Sequence, residues 1–245
     1  MHKILFITAL SQELKYIKKE IKKLKIPDLK VDFFTTWMWN YNTILNLTKN
    51  LSTKKYDFIV NIGSAWYFWK NKIKNIYQIA RIKNLENNKE ELVPINFKLH
   101  NLATYLSSET PVSNIEQISI QEDFYLIDME SYWFELVGNN FNIPRLILKI
   151  PVDKIWKKFD SNIFIKKVEE IDFNYILINI LEYLKSLTEK EDLSYYFEYF
   201  KFTFSEKLIF ERLYHKYQAL HWNFTVFFEA NKMLDKKKFL EILKK

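Results

Sequence analysis

The chain of 245 residues contains only two glycines, Gly63 and Gly138. Average usage of about 7% would give roughly 17 glycines in a chain of this length. Turns with positive φ and close approaches between backbones normally require glycine, because it carries no Cβ. A globular protein with so few glycines is therefore unusual, and other residues must form most of its turns.

The length suits one α/β domain, or one domain with a small appendage. Apolar residues make up 48% of the chain, which is enough for a buried core. No apolar run approaches the roughly 18 residues of a membrane span. The first apolar run is short and is followed by no small-residue cleavage site, so we expect no signal peptide and a cytoplasmic protein.

The formal net charge of +7 raises the question of a nucleic-acid partner. Lys, Asn, Ile, Phe and Tyr are abundant along the whole chain, which is typical of an AT-rich genome, so we expect no nucleic-acid partner. The arginines are Arg81, Arg145 and Arg212. The chain has no Cys, and its four histidines lack the spacing of metal ligands. We therefore expect neither a metal nor a cofactor.

Short apolar runs predict buried strands at 3–8, 57–62, 77–82, 102–107, 125–128 and 143–150. Apolar residues at helical spacing predict helices at 11–25, 43–51, 130–141 and 168–187, and 87–91 is a polar loop. This alternation predicts an α/β fold with a mixed central sheet flanked by helices over 1–187. The aromatic-rich segment 188–245 predicts a helical C-terminal extension, packed on the domain or on a second subunit.

Three carboxylates come directly after predicted strands. Glu13 follows the first strand, Glu130 follows the strand at 125–128, and Asp153 follows the strand at 143–150. Ligands of such sheets bind at the carboxyl ends of the strands. Each residue alone also has a structural explanation: a solvated helix position, a charge favoured by the helix dipole, or a loop cap.

Four segments together resemble the nucleoside phosphorylase superfamily, and within it the methylthioadenosine/S-adenosylhomocysteine nucleosidases. They are ILFITALSQEL, DFIVNIGSA, IDMESYWFELVGNNFNIPRLILKIPVD and the closing residues 154–187. The third segment, with its Met-Glu at a helix start and its strand ending in Asp, is the most specific. The resemblance implies the fold of that superfamily over about 1–187 and a nucleoside as the small-molecule substrate.

Cleavage of a purine–ribose bond needs a protonated leaving base, negative charge near the developing cation and an activated nucleophile. The resemblance implies that Asp153 is the general acid toward purine N7 and that Glu13 is the base that activates water. It implies that Glu130 holds the ribose hydroxyls. It also places further residues at the substrate: Met129, Gly63, Ser64, Ala65 and Val112.

The chain departs from the family at several positions. Val152 stands where a Ser usually precedes the acid, and Lys149 stands where an Arg is usual. The segment between Ala65 and Ser107 is shorter than in typical members. Because that segment normally helps to form the dimer and to close the pocket, a homodimer is possible here but is not required by the sequence.

The sequence favours water over phosphate as the nucleophile. Phosphorylases of this superfamily bind phosphate through arginines, whose guanidinium fork suits its oxygens. None of the three arginines lies in a family phosphate loop. The hypothesis is therefore a purine nucleoside N-glycosidase of nucleoside catabolism and methionine salvage. The alternatives are a purine nucleoside phosphorylase, and a nucleoside-binding homologue with impaired catalysis.

The chain has seven tryptophans, which is high. Where the family has a Gly-x-Gly turn this chain has Trp37, Met38 and Trp39, and Trp66 follows Ala65 in the GSA loop. Some bacterial lineages decode UGA as glycine, and other genetic codes decode it as tryptophan. We hypothesise that several of these tryptophans are such glycine codons. The alternative is that they are genuine and that the pocket is remodelled around them.

Overall fold

The computed structural model describes residues 1–37, 40–68, 73–99, 101–110, 125–154, 160–188, 193–220 and 224–244. The chain forms two compact units, Met1–Lys185 and Ser186–Lys245. None of the helices searched in these ranges has the length and hydropathy that a membrane crossing requires.

In the described residues, eight strands form one mixed sheet. Their bounds are β1 His2–Thr8, β2 Leu29–Thr35, β3 Phe58–Phe68, β4 Tyr77–Asn84, β5 Glu90–Leu92, β6 Asn101–Ser107, β7 Tyr125–Asp128 and β8 Arg145–Lys154. In the first unit, five helices accompany them: α1 Ser11–Ile21, α2 Asn40–Thr53, α3 Ser131–Asn140, α4 Ser161–Glu169 and α5 Phe173–Thr188.

Strand β3 is the centre of the sheet. Its first half pairs in parallel with β1, and β1 pairs in parallel with β2. On its other side β3 pairs in parallel with β8. Its last three residues pair antiparallel with β7 on the edge opposite β8, because Trp66 and Tyr67 pair with both strands. Strand β8 pairs with β4, β4 with β6, and β6 with β7. The strands β3, β8, β4, β6 and β7 therefore close into a ring, and β5 lies outside it on β4.

The central strands are buried on both faces, which explains their continuous apolar sequences. Because side chains alternate along a strand, Ile4 and Phe6 pack with α1, α4 and α5 on one face, and Leu5 and Ile7 pack with α2 and α3 on the other. The predicted α/β fold with a central mixed sheet flanked by helices is confirmed.

Several predicted boundaries were wrong. Strand β2, Leu29–Thr35, was not predicted, because it is only half buried and carries charged residues. The single helix predicted at 168–187 is two helices, and the Asp172 carboxylate accepts the Tyr175 N–H (2.9 Å) where the second begins. Part of the predicted loop 87–91 is strand β5, and β8 continues through Asp153 and Lys154.

The second unit is helical, as predicted. Its helices are α6 Ser194–Phe200, α7 Phe204–Leu220, α8 Phe224–Asn231 and α9 Lys236–Leu243. Aromatic side chains fill its core, and Phe210, Phe224 and Phe239 are fully buried. The rings of Phe200 and Phe239 lie 4.4 Å apart between centroids. This unit therefore has a core of its own.

Both glycines serve close packing and neither has a positive φ. A Cβ at Gly138 would lie 2.5 Å from Cδ of Arg145, inside normal contact distance. Among the described residues, the positive φ angles belong to Asp28, Trp37, Asn88, Asn142 and Lys201. Asp and Asn tolerate a positive φ. They therefore form some of the turns that would otherwise need glycine.

We expect Gly138→Ala to lower the free energy of unfolding by about 1 kcal/mol or more. Overpacking typically costs about 1–3 kcal/mol, and Arg145 cannot move easily because its guanidinium is buried against the Glu135 carboxylate. Urea denaturation measures the change. Asn139→Ala, at the exposed next position of the same helix, is the control. Equal stability of the two variants would contradict the close approach.

Candidate active site

One pocket lies at the carboxyl ends of β1, β3 and β7 and beside β8. It encloses about 140 Å³, below the roughly 300–1,000 Å³ typical of small-molecule pockets. It brings together six of the eight predicted site residues: Glu13, Gly63, Ser64, Ala65, Met129 and Glu130. Their sequence separation shows that the sheet, and not a local motif, builds the pocket.

Glu13 is a buried carboxylate with three hydrogen-bond donors. The Ser64 hydroxyl and backbone N–H donate to Oε1 at 2.6 Å and 2.8 Å, and the Leu10 N–H donates to Oε2 at 3.2 Å. A Cβ at Gly63 would lie 3.2 Å from Oε2, so glycine permits this approach. Burial raises the pKa of Glu13, and the donors from Ser64 oppose that rise. Glu13 is thus held in one orientation and can take up a proton.

Glu130 occupies the N-cap position of α3 but its side chain does not cap the helix. Its carboxylate is buried, and the donor recorded for it is the Met129 N–H at 3.4 Å. Burial, followed by the charge of Asp128, raises the pKa of Glu130 to about 8, and the Lys149 ammonium opposes this. A buried carboxyl group with so weak a partner at a pocket wall is suited to bind a ligand hydroxyl.

Asp128 and Lys149 form an ion pair beside these carboxylates. Lys149 Nζ lies 2.6 Å from Asp128 Oδ2, and both side chains are 3% exposed. Their charges, with that of Glu130, act on Tyr105, whose hydroxyl is buried and has no hydrogen-bond partner of normal geometry among the described residues. Burial and the Asp128 and Glu130 charges raise the pKa of Tyr105 well above its usual value.

Solved structures that share this fold include nucleosidases. A methylthioadenosine/S-adenosylhomocysteine nucleosidase from Campylobacter jejuni matches with a TM-score of 0.58 at 16% identity, over 72% of this chain and 97% of that one. A Chlamydia trachomatis nucleosidase bound to methylthioadenosine matches with a TM-score of 0.57 at 18% identity, over 72% of this chain and 98% of that one. The chain has the fold of these nucleosidases.

A further solved structure shares this fold. A futalosine hydrolase mutant from Helicobacter pylori matches with a TM-score of 0.54 at 10% identity, over 69% of this chain and 97% of that one. No protein-family profile matches the sequence, and no curated protein sequence matches it. The resemblance to the superfamily, drawn from four sequence segments, is confirmed at the level of the fold.

Two predicted site residues are not fully described. Val112 lies outside the described residues. The backbone of Asp153 lies inside β8 and pairs with Trp66, after a register shift between Ala65 and Trp66. The sequence placed Asp153 after the strand, which is wrong, because β8 continues beyond the predicted end. Its side chain is outside the described part.

Asp128 was not predicted as a site residue from the sequence, and Lys149 was noted only as a departure from the family. The available signal for Asp128 was its place directly before Met129 at the end of a buried strand. Both line the pocket with Trp66. In the described part of the chain, no three His, Asp or Glu side chains are arranged to hold a metal ion.

One tryptophan has a backbone conformation suited to glycine. Trp37 has a φ of 69° and is 60% exposed, and a bulky residue in this region is a genuine outlier. Trp66 is half buried in the pocket wall. Trp39 lies outside the described residues. The positive φ of Trp37 supports the glycine-codon hypothesis at position 37.

We expect the stability of the protein to fall between about pH 4.5 and pH 8. In this range native Glu130 keeps a proton that the unfolded chain releases, so the native state binds more protons and loses stability as the pH rises. Urea denaturation at several pH values measures the slope. Glu130→Gln should flatten it, and Glu182→Gln, at an exposed position, should not. Identical slopes in both variants would refute the raised pKa.

Proposed function

We propose that the chain hydrolyses the base–ribose bond of a purine nucleoside, namely methylthioadenosine, S-adenosylhomocysteine or a related compound. The observation that carries this proposal is the pairing of two buried carboxyl groups, Glu13 and Glu130, in one pocket of a nucleosidase fold. Burial raises the pKa of both groups. Carboxyl groups with perturbed pKa in a cleft are candidates for acid–base chemistry.

In the proposed reaction, Asp153 donates a proton to purine N7 and the C1′–N9 bond breaks with its electrons moving to the base. Water attacks C1′ of the resulting oxocarbenium-like ribosyl group. Glu13 takes the proton of that water, since the Ser64 and Leu10 donors fix its carboxylate at the pocket wall. The products are the free purine base and the free sugar.

Glu130 has a different part in the proposal. Its carboxyl group binds the ribose hydroxyls, and in its ionised form it places negative charge near the developing cation. Met129 lies beside it at the pocket wall and packs on the sugar. Gly63, Ala65 and Val112 complete the substrate contacts implied by the family.

The described arginines support hydrolysis over phosphorolysis. The Arg81 guanidinium pairs with Glu90 on an exposed edge of the sheet, and that of Arg145 is buried against Glu135. Neither lines the pocket. Lys149 does, but its ammonium is paired with Asp128. A phosphorylase needs a cationic group for phosphate, so phosphorolysis is the less supported alternative.

A second candidate function is nucleoside binding with impaired turnover. The small volume of the pocket and the indole of Trp66 in its wall favour it. If Trp66 is the native residue, a nucleoside has less room than in an ordinary ligand pocket. The two candidates differ in turnover, which a direct assay measures.

The test is hydrolysis of methylthioadenosine, S-adenosylhomocysteine, adenosine and inosine in phosphate-free buffer, with detection of free sugar and base. Asp153→Asn and Glu13→Gln should each lower the rate by about 10²- to 10⁴-fold. Glu182→Gln, exposed on α5, is the control that should keep the full rate. Ribose 1-phosphate as the main product on adding phosphate would establish the phosphorylase alternative. An unchanged rate in Asp153→Asn would refute its role as the acid.

We expect the triple variant Trp37→Gly, Trp39→Gly and Trp66→Gly to bind and hydrolyse nucleosides better than the tryptophan-bearing chain. Removal of the Trp66 indole enlarges the pocket, and glycine at 37 adopts its positive φ without strain. Trp37→Gly alone is the control, because it removes the strain of the positive φ at position 37 and leaves the Trp66 side chain in the pocket wall. Equal or lower activity of the triple variant would favour genuine tryptophans and a remodelled pocket.

A further inference from the structure

The Asp128 carboxylate joins four elements at the end of β7. Its Oδ1 accepts the backbone N–H groups of Glu130 at 3.3 Å and Ser131 at 3.1 Å, and the Ser107 hydroxyl of β6 lies 3.5 Å away. Its Oδ2 accepts the Ser131 hydroxyl at 2.6 Å and pairs with Lys149 of β8 at 2.6 Å. Both oxygens of Asp128 therefore have hydrogen-bond or ion-pair partners within the protein.

These contacts hold the backbone at the start of α3. An N-cap side chain normally accepts the N–H groups two or three residues further on. At α3 the N-cap residue is Glu130, whose side chain makes no such bond, and the Tyr132 N–H donates to the Ser107 hydroxyl at 3.4 Å. Asp128, two residues before Glu130, accepts the N–H groups of Glu130 itself and of Ser131. It therefore fixes the backbone that carries the Glu130 carboxyl group at the pocket wall.

The same carboxylate fixes Lys149. A lysine ammonium on its long flexible stem would otherwise have many orientations. Because Lys149 is 3% exposed and paired with Asp128, its charge has a fixed position. From there it favours the ionised forms of Glu13 and Glu130.

We propose that Asp128 is a positioning residue of this site, which acts on the substrate through Glu130 and Lys149. It fixes the backbone of Glu130 at the start of α3, from which the Glu130 carboxyl group lies at the pocket wall, and it holds the Lys149 ammonium beside the carboxylates. The catalytic consequence rests on the proposed nucleosidase function. The positioning itself is a property of the ligand-free protein and is tested there.

Two variants separate the contact of Asp128 with the start of α3 from its contact with Lys149, and a third is the control. Asp128→Asn keeps an oxygen that can accept the Glu130 and Ser131 N–H groups, and it loses the charge that pairs with Lys149. The double variant Asp128→Asn with Lys149→Met removes both charges, so no unpaired buried charge opposes folding. Glu135→Gln is the matched control, because it breaks another buried ion pair between α3 and β8.

The first measurement is the titration of the Glu130 carboxyl group in the ligand-free protein, by ¹³C NMR with Glu130→Gln for assignment. The ionisable groups that act on it are Asp128, Lys149 and Glu13, with Tyr105 in the same cluster. Asp128→Asn should move the midpoint down from about 8 by about one pH unit or more, because it removes a negative charge and leaves Lys149 unpaired. The double variant should move it back upward, and Glu135→Gln should leave it in place.

The second measurement is nucleoside turnover. Asp128→Asn should lower kcat by about tenfold or more, because misplacement of a catalytic group is costly, and it should shift the pH profile in the direction of the titration. An unmoved Glu130 midpoint in Asp128→Asn, with stability lowered as in Glu135→Gln, would overturn the proposal and leave Asp128 a purely structural residue. If the unmodified protein hydrolyses no nucleoside, the proposed function fails, and the titration still decides the role of Asp128.

If Asp128→Asn does not fold, the double variant decides the role of Asp128. A Glu130 titration midpoint in the double variant equal to that in Lys149→Met alone would overturn the proposal.

Discussion

The parallel pairing of β3 with β8 is the constraint on which the site depends. Its register sets Gly63 beside Lys149 and, after the shift at Ala65, sets Trp66 beside Asp153. The Ser64 backbone and hydroxyl then meet Glu13 of α1, because β1 pairs with the other side of β3. A register change of one residue would turn these side chains to the opposite face. The long hydrogen-bonded ladder between these two largely buried strands is what prevents it.

Electrostatics at this site is a balance between burial and a small number of charges. Burial is the main cause of the raised pKa of both Glu13 and Glu130, and the Lys149 ammonium opposes it at both. Asp128 raises the pKa of Glu130 and at the same time pairs with Lys149. The protonation of the site is thus a joint property of these groups, so a charge change at one residue alters the others.

The scarcity of glycine has a two-part physical explanation. The glycines at 63 and 138 remain where a Cβ would meet Glu13 or Arg145. Most turns with positive φ use Asp, Asn or Lys, but Trp37 has the same backbone conformation with a bulky side chain. The backbone of Trp37 is what decoding of UGA as glycine at that position would explain.

The sequence by itself determined the alternation of strands and helices, the helical C-terminal segment, and the carboxylates Glu13 and Glu130 as candidates. Local apolar periodicity and a family-like order of segments carry that information. Only the tertiary structure decided that β3 closes a ring with β7 and β8, that β8 continues through Asp153, and that Asp128 holds Lys149. These features depend on pairing and burial between residues distant in sequence, which a local pattern does not encode.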